Sequence, residues 1–395
     1  MATVTGANGQ VIVTLSVGAN EAAAQILATE IINSLSGLGA TASLVASPDT
    51  VPATGTGVFI QRTANQQFSL ANSNSTVILA SGGASTVFGG GAANQRVLAD
   101  DGNLVMLTNG GSGKIVTGNG NNILSVLGGY NVTTGSGNDV VFAFGSNTVS
   151  AGAGSNIIVS GNGNDTISLS GTTDTVFGNG TGTISVTGGT GSAFLAPGSQ
   201  NLNFVGGSGG ATVFAGTGSD TITLGAGGGL VFAGTGGKSV LSGGASSGGS
   251  TLFGGGSGDV LSANGFASTT LVAGRGNETL TGANSSANNI FYGFAGNASL
   301  QGGNGADVFV VGGGNSTVNG GPGQDLISIV AGASGNVTVT SFNSAEHVTL
   351  QGYGANEVSR ALSTASVGSS TTLTLSDNTK VTFVGVNNLT SSSFI

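Results

Sequence analysis

The chain has 395 residues, of which 77 are glycine, 4 are proline and 38% are hydrophobic. That apolar content exceeds what a disordered linker carries, and the glycine follows no strict third-residue period, which excludes collagen. Sixteen acids against seven bases give a net charge of −9, and cysteine is absent. The charge excludes nucleic acid as a partner, the missing thiols exclude disulfides, and divalent cations become the favoured counter-charge.

Residues 1–75 read as a small strand-helix region, a cap or an assembly module. The first residues lack a basic start and a long apolar core, so no Sec-type leader is expected. No run of about eighteen apolar residues exists, so membrane insertion is not expected either. Val11-Ile12-Val13-Thr14-Leu15 has the make-up of a strand. Asn20 is placed to cap a helix beginning at Glu21, and Gly37 to stop it. Ala24, Leu27, Ala28, Ile31 and Leu35 share one face at helical spacing. That face is expected to cover the open end of the repeat region, or to meet another subunit.

Residues 76–336 are built on a glycine-rich repeat. Gly302-Gly303-Asn304-Gly305-Ala306-Asp307-Val308-Phe309-Val310 reads G-G-x-G-x-D-x-U-x, where U is a large apolar residue, and Gly320-Gly321-Pro322-Gly323-Gln324-Asp325-Leu326-Ile327-Ser328 repeats it. Looser copies end at Asp139, Asp165 and Asp220, and others lead to Asp259 and Glu278. The U position recurs at Val116, Leu124, Val132, Val141, Val149, Ile158, Ile167, Val176 and Ile184. It resumes at Phe204, Val213, Ile222, Val231 and Val240, then at Leu261, Leu280, Leu300, Phe309, Val318 and Ile327. Alternating side chains let one apolar residue per short strand point inward, and the glycines suit turns. The expected fold is all-β, a parallel β-roll or β-solenoid whose turns are stable only when stacked.

Residues 337–395 lose the glycine period. Thr372–Ser376 and Lys380–Val384 flank Asp377-Asn378-Thr379 as a hairpin, giving an antiparallel β C-terminal cap.

The two complete nonapeptides, with Gly352-Tyr353-Gly354, the hairpin and the final Leu389–Ile395, resemble the RTX proteins, the hemolysin-type calcium-binding repeat proteins secreted by type I systems. The resemblance covers about four-fifths of the chain. It implies secretion through a C-terminal signal in Leu389–Ile395, and Ca2+ held between turns one coil apart. Calcium takes its oxygens from carboxylates and glycine-rich backbone. On that basis Gly303, Gly305 and Asp307, with Gly321, Gly323 and Asp325, form the first expected calcium pair. Asp259 and Glu278 form the second. Elsewhere the acids lack acidic partners: Asp139 faces Asn122 and Asn156, Asp165 faces Asn147 and Thr183, and Asp220 faces Lys238. Asn-rich edges there are expected to replace ions with stacked hydrogen bonds.

Catalytic chemistry is not expected. The one histidine, His347, has no H-E-x-x-H context, and the G-x-G strings recur without a following helix. The sequence reads best as a secreted extracellular structural protein, a surface-layer, biofilm-matrix or filament subunit that assembles with copies of itself. The alternatives are a carbohydrate- or ice-binding surface, for which Thr221/Thr223 and Thr279/Thr281 are the candidate residues, and a polysaccharide-modifying enzyme.

Overall fold

The computed structural model describes residues 1–5, 11–36, 43–45, 58–70, 76–244, 248–256, 258–294, 296–332 and 334–395. The chain divides into two compact units, Met1–Asn201 and Leu202–Ile395. Each is a parallel β-solenoid, in which short strands alternate between two sheets.

Each strand lies beside the strand one coil later. In the first unit Ile123 pairs with Val140, and Val140 with Ile157, in one sheet. Asn131 pairs with Thr148, and Thr148 with Thr166, in the other. The step between partners ranges from 16 to 21 residues. Inserted residues are absorbed by the turns, where a longer loop costs little, while the strands keep register.

The inward rows carry the apolar repeat. Leu124, Val132, Val141, Val149, Ile158, Ile167, Val176 and Ile184 are all buried. Each buried side chain of this size contributes about 1.5–3 kcal/mol, and it packs on the equivalent residue of the next coil. Phe291 and Phe309 stack inside the second unit with centroids 4.7 Å apart, the spacing of adjacent strands. Val240 departs from the expected pattern. It is 47% exposed, and Leu241 takes the inward place. The coil before it is one residue longer than the repeat, since Thr221 pairs with Val240. In a strand, one residue of slip exchanges the two faces. At the other end of the repeat Ile115, paired with Val132, is the inward residue. Val116 is buried too, but on the outer side of its strand.

Val116 is buried there by the N-terminal region. Val11–Leu15 pairs antiparallel with Ala2–Thr5, and helix α1 spans Glu21–Ser36. Ala24, Leu27, Ala28 and Ile31 are buried as the periodicity predicts; the Leu35 side chain and Gly37 lie outside the described residues. Their partners are Val58, Ile60, Ile78, Leu98 and Val116. These residues form the outward rows of strands Val58–Gln61, Thr76–Leu79, Gln95–Ala99 and Ser112–Val116. The helix therefore lies along the flank of the coil and does not close its end. Asn20 does not serve as the expected cap: its side-chain amide donates to the Thr117 carbonyl at 2.8 Å and ties the helix start to the coil. Lys114 pairs with Glu30 at the helix edge.

The parallel pairing runs past both expected boundaries. It begins with Ser43–Val45 beside Phe59–Gln61, and it continues through His347–Gln351 beside Leu326–Val330. Glycine loss marks a change in turn type there, not an end of the coil. At the C-terminus Thr371–Thr374 and Lys380–Phe383 form the predicted antiparallel hairpin, with Asn378 at φ +69° in its turn. Lys380–Phe383 also lies parallel to Asn336–Thr340. A short helix α2, Glu357–Ser363, precedes the hairpin, and its Glu357 pairs with Arg360 at 2.6 Å. The tail returns to the coil, where Ile395 N–H donates to the Val348 carbonyl at 3.0 Å. Among the described residues, no helix is long and apolar enough to cross a membrane.

Candidate metal-binding edges

At several strands a polar residue at or next to the strand start points its side chain back toward the preceding coil. Stacking the coils turns these residues into columns. In the first unit one column holds Asn122, Asp139, Asn156 and Asp174. The Asn122 N–H and amide both donate to Asp139 Oδ1 at 2.8 Å. The Asp139 N–H donates to Asn156 Oδ1 at 3.1 Å, and Asn156 in turn donates to Asp174 Oδ1. Asn147 donates to Asp165 Oδ1 in the same way on the other edge, and Ser160 Oγ to Asp165 Oδ2. Acid and amide thus alternate, and an amide donor meets each carboxylate. The forward neighbour of Asp165 is Ile184, not Thr183, whose N–H goes to Asn164.

Further out, amides stack on amides. Asn138 N–H donates to Asn121 Oδ1 at 2.7 Å, and Asn121 N–H to Asn103 Oδ1 at 2.8 Å. In the second unit Asn277, Asn297, Asn315 and Asn336 form a side-chain ladder with links of 2.7–2.9 Å. These are the stacked hydrogen bonds expected of the Asn-rich edges.

The second unit differs because acid follows acid. One column holds Asp220, Ser239, Asp259 and Glu278. Asp220 stands beside Ser239 and not Lys238, because the coil is one residue longer than the repeat. Asp259 Oδ1 accepts from Ser239 N–H at 2.8 Å, and its Oδ2 from the Gly255 and Gly256 N–H groups. Asp220 Oδ2 and Glu278 Oε2 are buried without a hydrogen-bond partner. Burial, then the charge of Asp259, raises both carboxyl groups above their ordinary range.

The other column holds Asn289, Asp307, Asp325 and Glu346. Asp307 is fully engaged: Oδ1 accepts from Asn289 N–H at 2.7 Å and its amide at 3.1 Å, and Oδ2 from Gly303 N–H at 2.7 Å. Asp325 Oδ1 accepts from Asp307 N–H at 2.8 Å, while its Oδ2 has no partner. Glu346 Oε2 accepts from Asn343 N–H at 2.8 Å, while its Oε1 has no partner. Both free oxygens flank one point, the space a side chain on Gly320 would fill. The turn that leaves this space runs through Gly321 at φ +86° and Gly323 at φ +154°, which L-residues avoid. Gly305 packs without a side chain against the Ala287 carbonyl.

Burial and the charge of Asp307 push Asp325 up to about 6. Burial and the charge of Asp325 push Glu346 up to about 7. Two buried carboxylate oxygens without donors, facing one gap, are costly unless a proton or a cation joins them. Hard oxygen donors around such a gap fit Ca2+. The donor set at Asp325 and Glu346 therefore suits the ion, and that at Asp220 and Glu278 suits it next. Asp307, Asp259 and Asp165 have amide or hydroxyl donors on oxygens an ion would need. Asp139 keeps Oδ2 without a partner, but its column neighbours are the amides of Asn122 and Asn156 and not a second acid. Among the described residues no three acidic or histidine side chains converge, so backbone carbonyls would have to complete any calcium shell.

Glu346 is absent from the sequence reading. It lies 21 residues after Asp325, in a turn without glycine, and the register of Leu326 with His347 is what places it. The alternation of Val348 and Leu350 after it was the available signal. The threonines proposed for surface binding stand on one outer face, but Val240 and Val260 break their row.

The family model of the RTX calcium-binding nonapeptide repeat (four copies) matches residues 143–176 and 292–327. The first segment contains the Asn147–Asp165 and Asn156–Asp174 pairs, and the second contains Asp307 and Asp325. No curated protein matches the chain. The chain thus carries RTX calcium-binding nonapeptide repeats in these two segments, and both segments are coils of a parallel β-solenoid.

Proposed function

We propose that this is a secreted, calcium-dependent structural protein that assembles with copies of itself outside the cell, as a surface-layer, matrix or filament subunit. The observation that carries the reading is the pair of unpartnered, buried oxygens on Asp325 and Glu346 beside Gly320. They sit at the end of the matched repeats, where an ion would fasten the last coils together. In that role Asp325 and Glu346 supply charge and neighbouring backbone supplies neutral oxygens. The ion removes the repulsion between the two carboxylates and fixes the turns. RTX-repeat solenoids are typical of proteins without catalytic activity, and RTX proteins are typically secreted. Both facts support the reading.

The test is light scattering on the full chain, in millimolar calcium and in chelator. Calcium is expected to produce species larger than a monomer, and chelator to reverse them. A chain that stays monomeric in both conditions would overturn the assembly part of the reading.

A further inference from the structure

The two outer faces of the coil differ sharply in the unit Met1–Asn201. One sheet shows solvent Thr133, Ser150, Ser168 and Thr187 in one row, with Asn131, Thr148, Thr166 and Ser185 in the other. The opposite sheet shows two largely apolar rows across the strands from Ser85–Phe88 to Ser192–Ala196, interrupted only by Thr86, Ser125 and Thr175, with Leu127 and Phe144 beside them. Leu107, Ile123, Leu127, Ile157 and Phe177 on it are 40–48% exposed. Phe142 and Phe144 lie between them, half-buried.

We propose that this apolar face is a self-association surface, and that its occupant is the same face of a second copy of the chain. The proposal rests on the assembly reading above and names the surface that would carry it.

The same unit supplies an internal control. The polar sheet turns apolar only over its first coils, at Ile60, Ile78, Leu98 and Val116, and there the chain's own helix α1 covers it. Where α1 stops, the outward residues become Thr and Ser. In this unit the apolar outer row of one sheet is covered by α1, whereas Leu107, Ile123, Ile157 and Phe177 on the opposite sheet stay exposed. Exposed apolar area of this kind marks an interaction site.

Charge and period favour a second copy. No Lys, Arg, Asp or Glu stands in the two rows, although the chain carries −9 overall. Two copies meeting here would keep their acids apart. Side chains along each row repeat at the strand spacing, roughly 4.8 Å. An identical face has ridges of the same period and pairs with it through a two-fold axis. The seven strands span roughly 30 Å by 10 Å, a few hundred Å² per copy, below the ~800 Å² per partner of a standard interface. The contact is therefore weak and reversible for one pair of faces.

The experiment is sedimentation velocity on the full chain in calcium, over a range of concentrations. The variants are Ile157→Lys with Phe177→Lys on the apolar face, and Thr166→Lys with Ser185→Lys on the polar face. Far-UV circular dichroism and melting verify the fold. Should the apolar-face lysines unfold the unit, Ile157→Thr with Phe177→Thr carries the same test, since Thr175 already occupies that face. The wild type is expected to associate, the apolar-face variant to associate at least tenfold more weakly, and the polar-face variant to match the wild type. Unchanged association of the apolar-face variant would overturn this surface while leaving assembly standing. A wild type that is monomeric throughout would overturn both. A monomer that floats with phosphatidylcholine vesicles, and loses this with the Ile157 and Phe177 changes, would assign the face to lipid and overturn the second-copy occupant.

Discussion

Asp325 and Glu346 lean toward one space beside Gly320, and each keeps an oxygen there without a donor. Their values of about 6 and about 7 lie above the ordinary carboxyl range. The folded chain therefore holds protons that the unfolded chain has released. The stability this brings is complete below the ordinary carboxyl range and is lost as pH rises through about 6 to 7, at about 1.4 kcal/mol per proton per pH unit. Asp139, Asp165, Asp174, Asp220, Glu278 and Asp307 are also raised by burial, and act with the same sign. In chelator, the melting temperature is expected to fall between about pH 4 and pH 7 and to level off above that. Calcium replaces the lost protons and should remove that fall. An ion at about a hundred times its Kd adds about 2.7 kcal/mol. Asp325→Asn with Glu346→Gln should flatten part of the chelator profile and lose most of the calcium response. A double variant that keeps the full calcium response would place the main ion elsewhere. Sequence alone found Asp325 through its nonapeptide. It missed Glu346 because the coil there is longer and its turn has no glycine.

Helix α1 shows how much an element can depend on what it covers. Its four-residue period was legible, and Ala24, Leu27, Ala28 and Ile31 are buried. What they are buried against was less legible, because a period tells which face is covered and not by what. The clue lay in the strands. Val58–Gln61 and Thr76–Leu79 are buried on both faces, so they read as continuous apolar runs, whereas uncovered strands alternate. The placement on the coil's flank makes a stability prediction. Leu27→Ala should cost about 2–5 kcal/mol, since it opens a cavity between the helix and the coil. Ile26, 62% exposed on the same helix, should tolerate alanine within about 0.5 kcal/mol. Chemical denaturation of the two variants checks this. Equal losses would mean that the helix stands on its own propensity and not on the coil.

At the scale of the whole chain, the solenoid was legible because its period is physical: each strand repeats one inward residue after one turn, and inward positions were misplaced where a coil departs from eighteen residues, shorter after Ile115 and longer before Val240. Val240 and Lys238 were both misplaced by the same lengthened coil. The end boundaries were misread because pairing continues after the glycines stop. What the sequence could not show is how differently the two units settle their buried acids. In Met1–Asn201, amides of Asn122, Asn147 and Asn156 meet Asp139, Asp165 and Asp174, and of these acids only Asp139 keeps a buried oxygen, Oδ2, without a donor. In Leu202–Ile395, Asp220, Glu278, Asp325 and Glu346 keep buried oxygens without donors, and acid stacks on acid. Solenoid stability is approximately a sum of local terms, so a local charge problem destabilises the coils that contain it. Calcium withdrawal is therefore expected to act unevenly. Hydrogen exchange read by mass spectrometry, in chelator at neutral pH, should show protection falling first in strands such as Val260–Gly265, Leu326–Val330 and His347–Gln351. Strands Val140–Phe144 and Asp165–Leu169 should hold longer, because their carboxylates are already met by amide donors. Returning calcium should restore the second unit's protection and leave the first nearly unchanged. Simultaneous loss in both units would show that the amide columns do not substitute for the ion.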